Sequence, residues 1–175
     1  TLMHEMGHIL GIIYNTTSKF SKQVTTAADG YKYFTGPTAT LIYGDGKSSR
    51  PIRMHSTGSH IQLAGAMMTS AQAFSTPMEA ELGVMIDMGY SINLRDFYGR
   101  SIYTDNNTIT NSHGYSKLSA SGSYIANQPN ENSFGIGLHV FGSNNTVIQK
   151  SSILTNGFAQ QAFGMGGKII HLWFL

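Results

Sequence analysis

The segment LMHEMGHIL, residues 2–10, constrains this chain more than any other stretch. Leu2, Met6, Ile9 and Ile13 recur at helical spacing, and Gly11 supplies a helix stop. An α-helix turns by about 100° per residue, so His4 and His8 project from nearly the same face, one turn apart. Two imidazoles so placed can grip one ion, and zinc takes nitrogen ligands at about 2.0–2.1 Å in a tetrahedral shell. Glu5 is offset from that line and does not ligate. It reaches a water on the metal, whose pKa zinc lowers to roughly 7, and takes the proton as general base. This is chemistry suited to hydrolysing a peptide bond. With seven His and four Glu in 175 residues, composition alone would produce the His-Glu-x-x-His pattern about 0.006 times. Coincidence is therefore the weaker explanation. A third protein ligand is required, and Tyr14, three residues past Gly11, is a poor one.

The rest of the composition narrows the field. Charged residues make up 11% of the chain and the net charge is +2, with no basic block, so nothing supports nucleic-acid binding. Cysteine is absent, which excludes disulfides and thiolate ligands. No apolar run approaches a membrane span. The chain opens at Thr1, already inside the helical pattern, and reads as part of a longer protein.

Composition changes near residue 95. Two asparagines precede that point, Asn15 and Asn93, and nine follow it. The expected division is residues 1–95, with helical patterns, and 96–175, with short strands between Gly/Asn/Ser turns. The overall class is α+β. Residues 12–59 carry no strong helical period, and YKYFTG and ATLIYG read as extended segments ending at glycine. A second helix is expected in STPMEAELGVMIDMGY. Ser75 or Thr76 caps it, Pro77 takes the first position, Glu79 and Glu81 sit at the positive end, and Gly89 ends it. Its apolar face is Met78, Leu82, Met85 and Ile86. Asp87 is expected to bond nearby backbone. In the second half, NNTIT at 106 and NNTVIQ at 144 are weakly similar, and short strands with Asn/Gly corners suit a β-solenoid.

HEMGHILG resembles the opening of the metzincin metallopeptidase motif, HExxHxxG, and the later segments are similar to its leishmanolysin-like branch, in which a long insertion delays the third histidine. FTGPTATLIYGDG, GSHIQLAGAMMTS and TPMEAELGVMIDMGY are the segments that carry this likeness, which covers residues 1 to about 90. The resemblance implies that His4, His8 and His60 ligate one Zn2+, that Glu5 is the base, and that Gly11 turns the chain beneath the metal. It also implies that Met68 packs under the ion in a methionine turn, with neighbouring Met67 as the alternative. Ile61 stands where that branch usually has Trp. His55 is the rival third ligand. Glu79 or Glu81 would instead give a two-His-one-Glu site, although first-turn helix positions already explain both.

RDFYGRSIYTDNN and GIGLHVFGSNNTVIQKSSILTNG resemble bacterial autotransporter passengers, in which a peptidase-like module precedes a β-helical stalk. That implies a secreted or cell-surface protein, a protein or peptide substrate, no membrane contact from this stretch, and a C-terminal outer-membrane barrel elsewhere. His113, His139 and His171 read as surface or packing residues. Metzincins bind substrate on the edge of a sheet that precedes the active-site helix, so this stretch by itself is expected to cleave peptides poorly. The second reading is a surface adhesin or structural passenger carrying an inactive peptidase-like module.

Overall fold

In the computed structural model, helix α1 spans Leu2–Ile9 and carries the two motif histidines. The structure describes residues 2–70, 76–132, 134–158, 161–168 and 170–174. The apolar residues at helical spacing are turned outward: Leu2 is 78% and Ile9 83% exposed. α1 buries His4 and Gly7. The helix is thus seated through its motif face, and the imidazoles are part of the packing.

The chain divides into two compact units, Thr1–Ile92 and Asn93–Leu175, against an expected boundary at 95/96. Helices and strands are mixed, as in an α+β protein. In the first unit, β1 (Val24–Thr26), β2 (Lys32–Phe34) and β3 (Ile52–Arg53) form an antiparallel sheet in that order. Phe34 is paired with Val24 on one side and Ile52 on the other, and its ring stacks on Phe20 at 5.2 Å. Phe20, Phe34, Ile52, Met54 and Ile61 are buried together with Met68.

The stretch expected to be extended, ATLIYG, is helical: α2 runs Pro37–Tyr43. Pro37 occupies the first turn, where its missing N–H costs nothing. The decisive partner is remote. The Asp87 carboxylate accepts the N–H groups of Thr38 and Ala39, both at 2.9 Å, and so caps α2 from the end of α3. Asp87 bonds backbone, as expected, but backbone far away in sequence. α3 spans Glu79–Asp87 and stops at Gly89, whose φ is +102°. Its N-cap is Met78, so Pro77 lies before the helix and Thr76 does not cap it; Ser75 lies outside the described residues. Glu81 supplies the acceptor for the Met78 N–H at 2.7 Å, which moves the start inward. Of the expected apolar face, Met78 and Leu82 are buried and Met85 and Ile86 half-buried.

α2 and α3 touch at a glycine. A Cβ on Gly83 would lie 2.8 Å from Ala39 Cα and 3.1 Å from Ala39 N, which is backbone and cannot swing aside. Gly83→Ala should therefore lower stability by about 1–3 kcal/mol, outweighing a helix-propensity gain of about 1 kcal/mol. Denaturant midpoints of the two chains check this; an equal or higher midpoint for the variant contradicts it.

The second unit contains β4 (Tyr98–Ile102), β5 (Thr108–Asn111), β6 (Ile136–Val140), β7 (Asn145–Gln149), β8 (Gln161–Met165) and β9 (Ile170–Phe174). They alternate between two wholly parallel sheets, β4-β6-β8 and β5-β7-β9. Residues 38 apart pair in the first rung of both sheets, as the Asn111 and Gln149 amides do at 2.7 Å. Residues 25 apart pair in the second, where Lys168 N–H bonds Ser143 Oγ. The two similar Asn-Asn segments stack in register. Asn106 and Asn144 share the left-handed conformation (φ 57° and 55°), and Asn107 N–H bonds Asn145 Oδ1 at 3.0 Å. Between the sheets lie Ile102, Ile109, Leu138, Val140 and Val147. Among the described residues, no helix is long and apolar enough to cross a membrane.

His139 on β6 packs its ring on Phe141 at 3.7 Å, a packing role as expected. Burial pushes its imidazole down from an ordinary 6.5 to about 4. Between those values the unfolded chain binds the proton and the folded chain does not. Stability is full above pH 6.5 and falls as pH drops towards 4, by up to about 3 kcal/mol. Thermal unfolding at pH 7 and pH 4.5 should show this loss in the wild type and less of it in His139→Gln; equal losses would rule it out.

Candidate metal centre

Three imidazoles converge in the first unit. The ring centroids of His4, His8 and His60 form a nearly equilateral triangle with sides of 4.8, 5.1 and 5.0 Å. One ring nitrogen from each lies within 4.8 Å of the others. Nitrogens on a tetrahedral zinc ion stand about 3.4 Å apart, so the set is gathered and somewhat open. Among the described residues, neither His55 nor Glu79 nor Glu81 belongs to it. His55 lies 6.3 Å from His60, centroid to centroid.

Local structure explains each ring. On α1, His4 and His8 are one turn apart. His4 Nδ1 bonds the Met67 carbonyl and His8 Nδ1 the Ile12 carbonyl, each at 2.7 Å. A carbonyl can only accept, so Nδ1 carries the proton in both rings and Nε2 keeps the lone pair a metal needs. Gly11 makes the His8 bond available. Its φ of +109° folds the chain back at the helix end, so that Ile12 N–H bonds Gly7 O and Ile12 O meets His8. Orienting second bonds of this kind accompany most histidine–metal ligation.

His60 arrives on a tight loop. His55 N–H bonds His60 O at 2.8 Å, and Ile61 N–H bonds Met68 O at 2.9 Å. Tyr14 holds that loop from outside. Its N–H bonds Ser59 Oγ at 3.0 Å, and its ring covers Gly58, where a Cβ would lie 2.7 Å from Tyr14 Cγ. The tyrosine in place of a nearby third histidine thus braces the segment that brings a distant one. Burial, then the charges of His8 and His4, hold His60 below its usual value, which favours the neutral ring. Its buried Nδ1 has no hydrogen-bond partner among the described residues. Such an orphan costs about 1–3 kcal/mol, which coordination of the ring by a cation offsets. The donor set fits zinc: three imidazole nitrogens gathered within 4.8 Å of one another.

Against α1, Met68 is fully buried, and its Sδ would lie 2.2 Å from a Cβ on Gly7. Met68 is therefore the methionine packed under the motif helix, while Met67 contributes its carbonyl to His4. Glu5, beside His4, is exposed, and its charge acts on His60. Glu81 is 1% exposed and accepts three backbone N–H groups, from Met67 at 3.0 Å and from Met68 and Met78 at 2.7 Å. Burial raises its pKa; the three N–H donors and the nearby His4 oppose the shift without cancelling it. The sequence reading placed Glu81 at a helix dipole and missed this role, and it missed Gly7 and Tyr14 as packing partners. Only the glycine inside the motif offered a local signal.

No family model, no curated protein and no solved structure matches the chain.

Proposed function

We propose that the first unit is the zinc-binding part of a metzincin-type endopeptidase, similar to the leishmanolysin branch, acting on proteins or peptides. The observation that carries this reading is the convergence of His4, His8 and His60 with Glu5 adjacent. His4, His8 and His60 would hold the ion. Zinc, when bound, supplies Lewis acidity towards a water and a carbonyl. Glu5 accepts the proton released as the nucleophile forms and returns it to the leaving amine. The Nδ1 bonds of His4 and His8 hold the proton on Nδ1 and turn Nε2 of each ring towards the ion's place. Met68 and Gly7 give the helix a fixed bed. The second unit, with its register of stacked parallel strands, is read as the start of a β-solenoid stalk, which suits a secreted or bacterial cell-surface protein. The same strands favour the second reading, an adhesive passenger with an inactive module.

Zinc titration against a chelating dye tests the centre: one ion per chain is expected, and no binding overturns it. Digestion of a peptide library, with Glu5→Gln as the blank, separates the readings. Cleavage products above the blank support the peptidase; silence at saturating zinc supports the passenger.

A further inference from the structure

One buried carboxylate is connected to the triangle through a single peptide group. The Met68 N–H donates to Glu81 Oε1 at 2.7 Å, and the Met67 carbonyl, the other end of that same peptide, accepts from His4 Nδ1 at 2.7 Å. Met67 N–H donates to the second oxygen, Oε2, at 3.0 Å. An acceptor on the N–H side of an amide polarises the amide and makes its carbonyl a stronger acceptor. The chain of bonds is buried from end to end, so water does not screen it. His4 is 63 residues from Met67 in sequence, and α3, through Glu81, holds the Met67 end of this contact.

We propose that Glu81 is a positioning residue for the metal centre: through the Met67–Met68 peptide it holds His4 in the Nδ1–H tautomer and fixes the ring that would ligate zinc. The inference rests on the metal-centre reading, but one of its consequences does not need the metal. Glu81 also caps α3 through Met78 N–H, so its loss lowers stability whatever it does for His4. Asp87 provides the control. It too is a carboxylate of α3 that accepts two backbone N–H groups, those of Thr38 and Ala39, and it makes no bond to the methionine segment.

The test compares the wild-type chain with Glu81→Gln and Asp87→Asn, using imidazole nitrogen and proton NMR on metal-free protein and zinc affinity by dye competition. In the wild type, His4 should show an Nδ1-bound, slowly exchanging proton; an Nε2–H tautomer would overturn the proposal without any variant having to fold. In Glu81→Gln that signal should be lost or move upfield, and zinc affinity should fall by about 10–100-fold, the usual effect of losing an outer-shell partner. Asp87→Asn should lose stability and keep both the signal and the affinity. Glu81→Asp keeps a carboxyl group and should retain the tautomer if Glu81→Gln does not fold. Zinc binding that is equal in wild type and Glu81→Gln sinks this inference alone. A wild type that binds no zinc sinks the metal-centre reading together with it.

Discussion

His60→Ala is expected to abolish stoichiometric zinc binding, and Glu5→Gln to leave it intact. The two substitutions separate ligand from base. Removing His60 leaves two imidazoles on one helix turn, which fill only half of a four-coordinate shell, so the loss should exceed the 10–100-fold that follows removal of an outer-shell partner. Glu5 is exposed and outside the triangle, so its amide should not change affinity. Where the chain cleaves peptides, Glu5→Gln should reduce the rate by about 10²–10⁴-fold, the span attributed to a positioned general base. His55→Ala serves as the comparison, because His55 stands 6.3 Å from His60 and outside the converging set. Zinc retained at one ion per chain in His60→Ala would refute the assignment.

The second large effect concerns the support beneath α1. Met68→Ala should destabilise the chain by about 2–5 kcal/mol, since a fully buried side chain pressed against a helix leaves a cavity the backbone cannot close. Met68→Leu, close in volume, should cost less than about 1.5 kcal/mol. Near its own melting range Met68→Ala should also bind zinc more weakly, because the bed under Gly7 is gone while every ligand remains. The measurement is a chemical denaturation series with matched zinc titrations. A midpoint for Met68→Ala equal to wild type would show that Met68 does not carry the helix.

What could be read in advance follows the range of the interactions. His4, Glu5, His8 and Gly11 were legible because one helical turn and one glycine stop define their relation within a few residues. His60 was legible only through resemblance to a family pattern, since nothing local announces which loop histidine returns to the helix. Tyr14 and Gly58 show why: the brace that positions the loop is a contact between segments 45 residues apart, as the bond from Tyr14 to Ser59 records. α2 was misread because ATLIY is too short and too apolar to declare a period, and its cap, Asp87, lies at the far end of another helix. Glu81 does sit in the first turn of α3, as expected, but its further contacts were hidden for a related reason. A glutamate in a first turn has an adequate local explanation, so its three acceptor contacts went unseen. In the second unit the matching Asn-Asn corners did foreshadow the first rung; β8 and β9 carry no such pair, and their pairing had no signature.

The ladder of the second unit changes its spacing from 38 to 25 residues without losing alignment in either sheet. Alignment is therefore dictated by strand meeting strand, and the intervening peptide is free to differ in length. A chain built this way can take on surplus residues between rungs as outward excursions, where new recognition chemistry can be grafted, while its cross-section and its hydrogen-bonded spine stay the same.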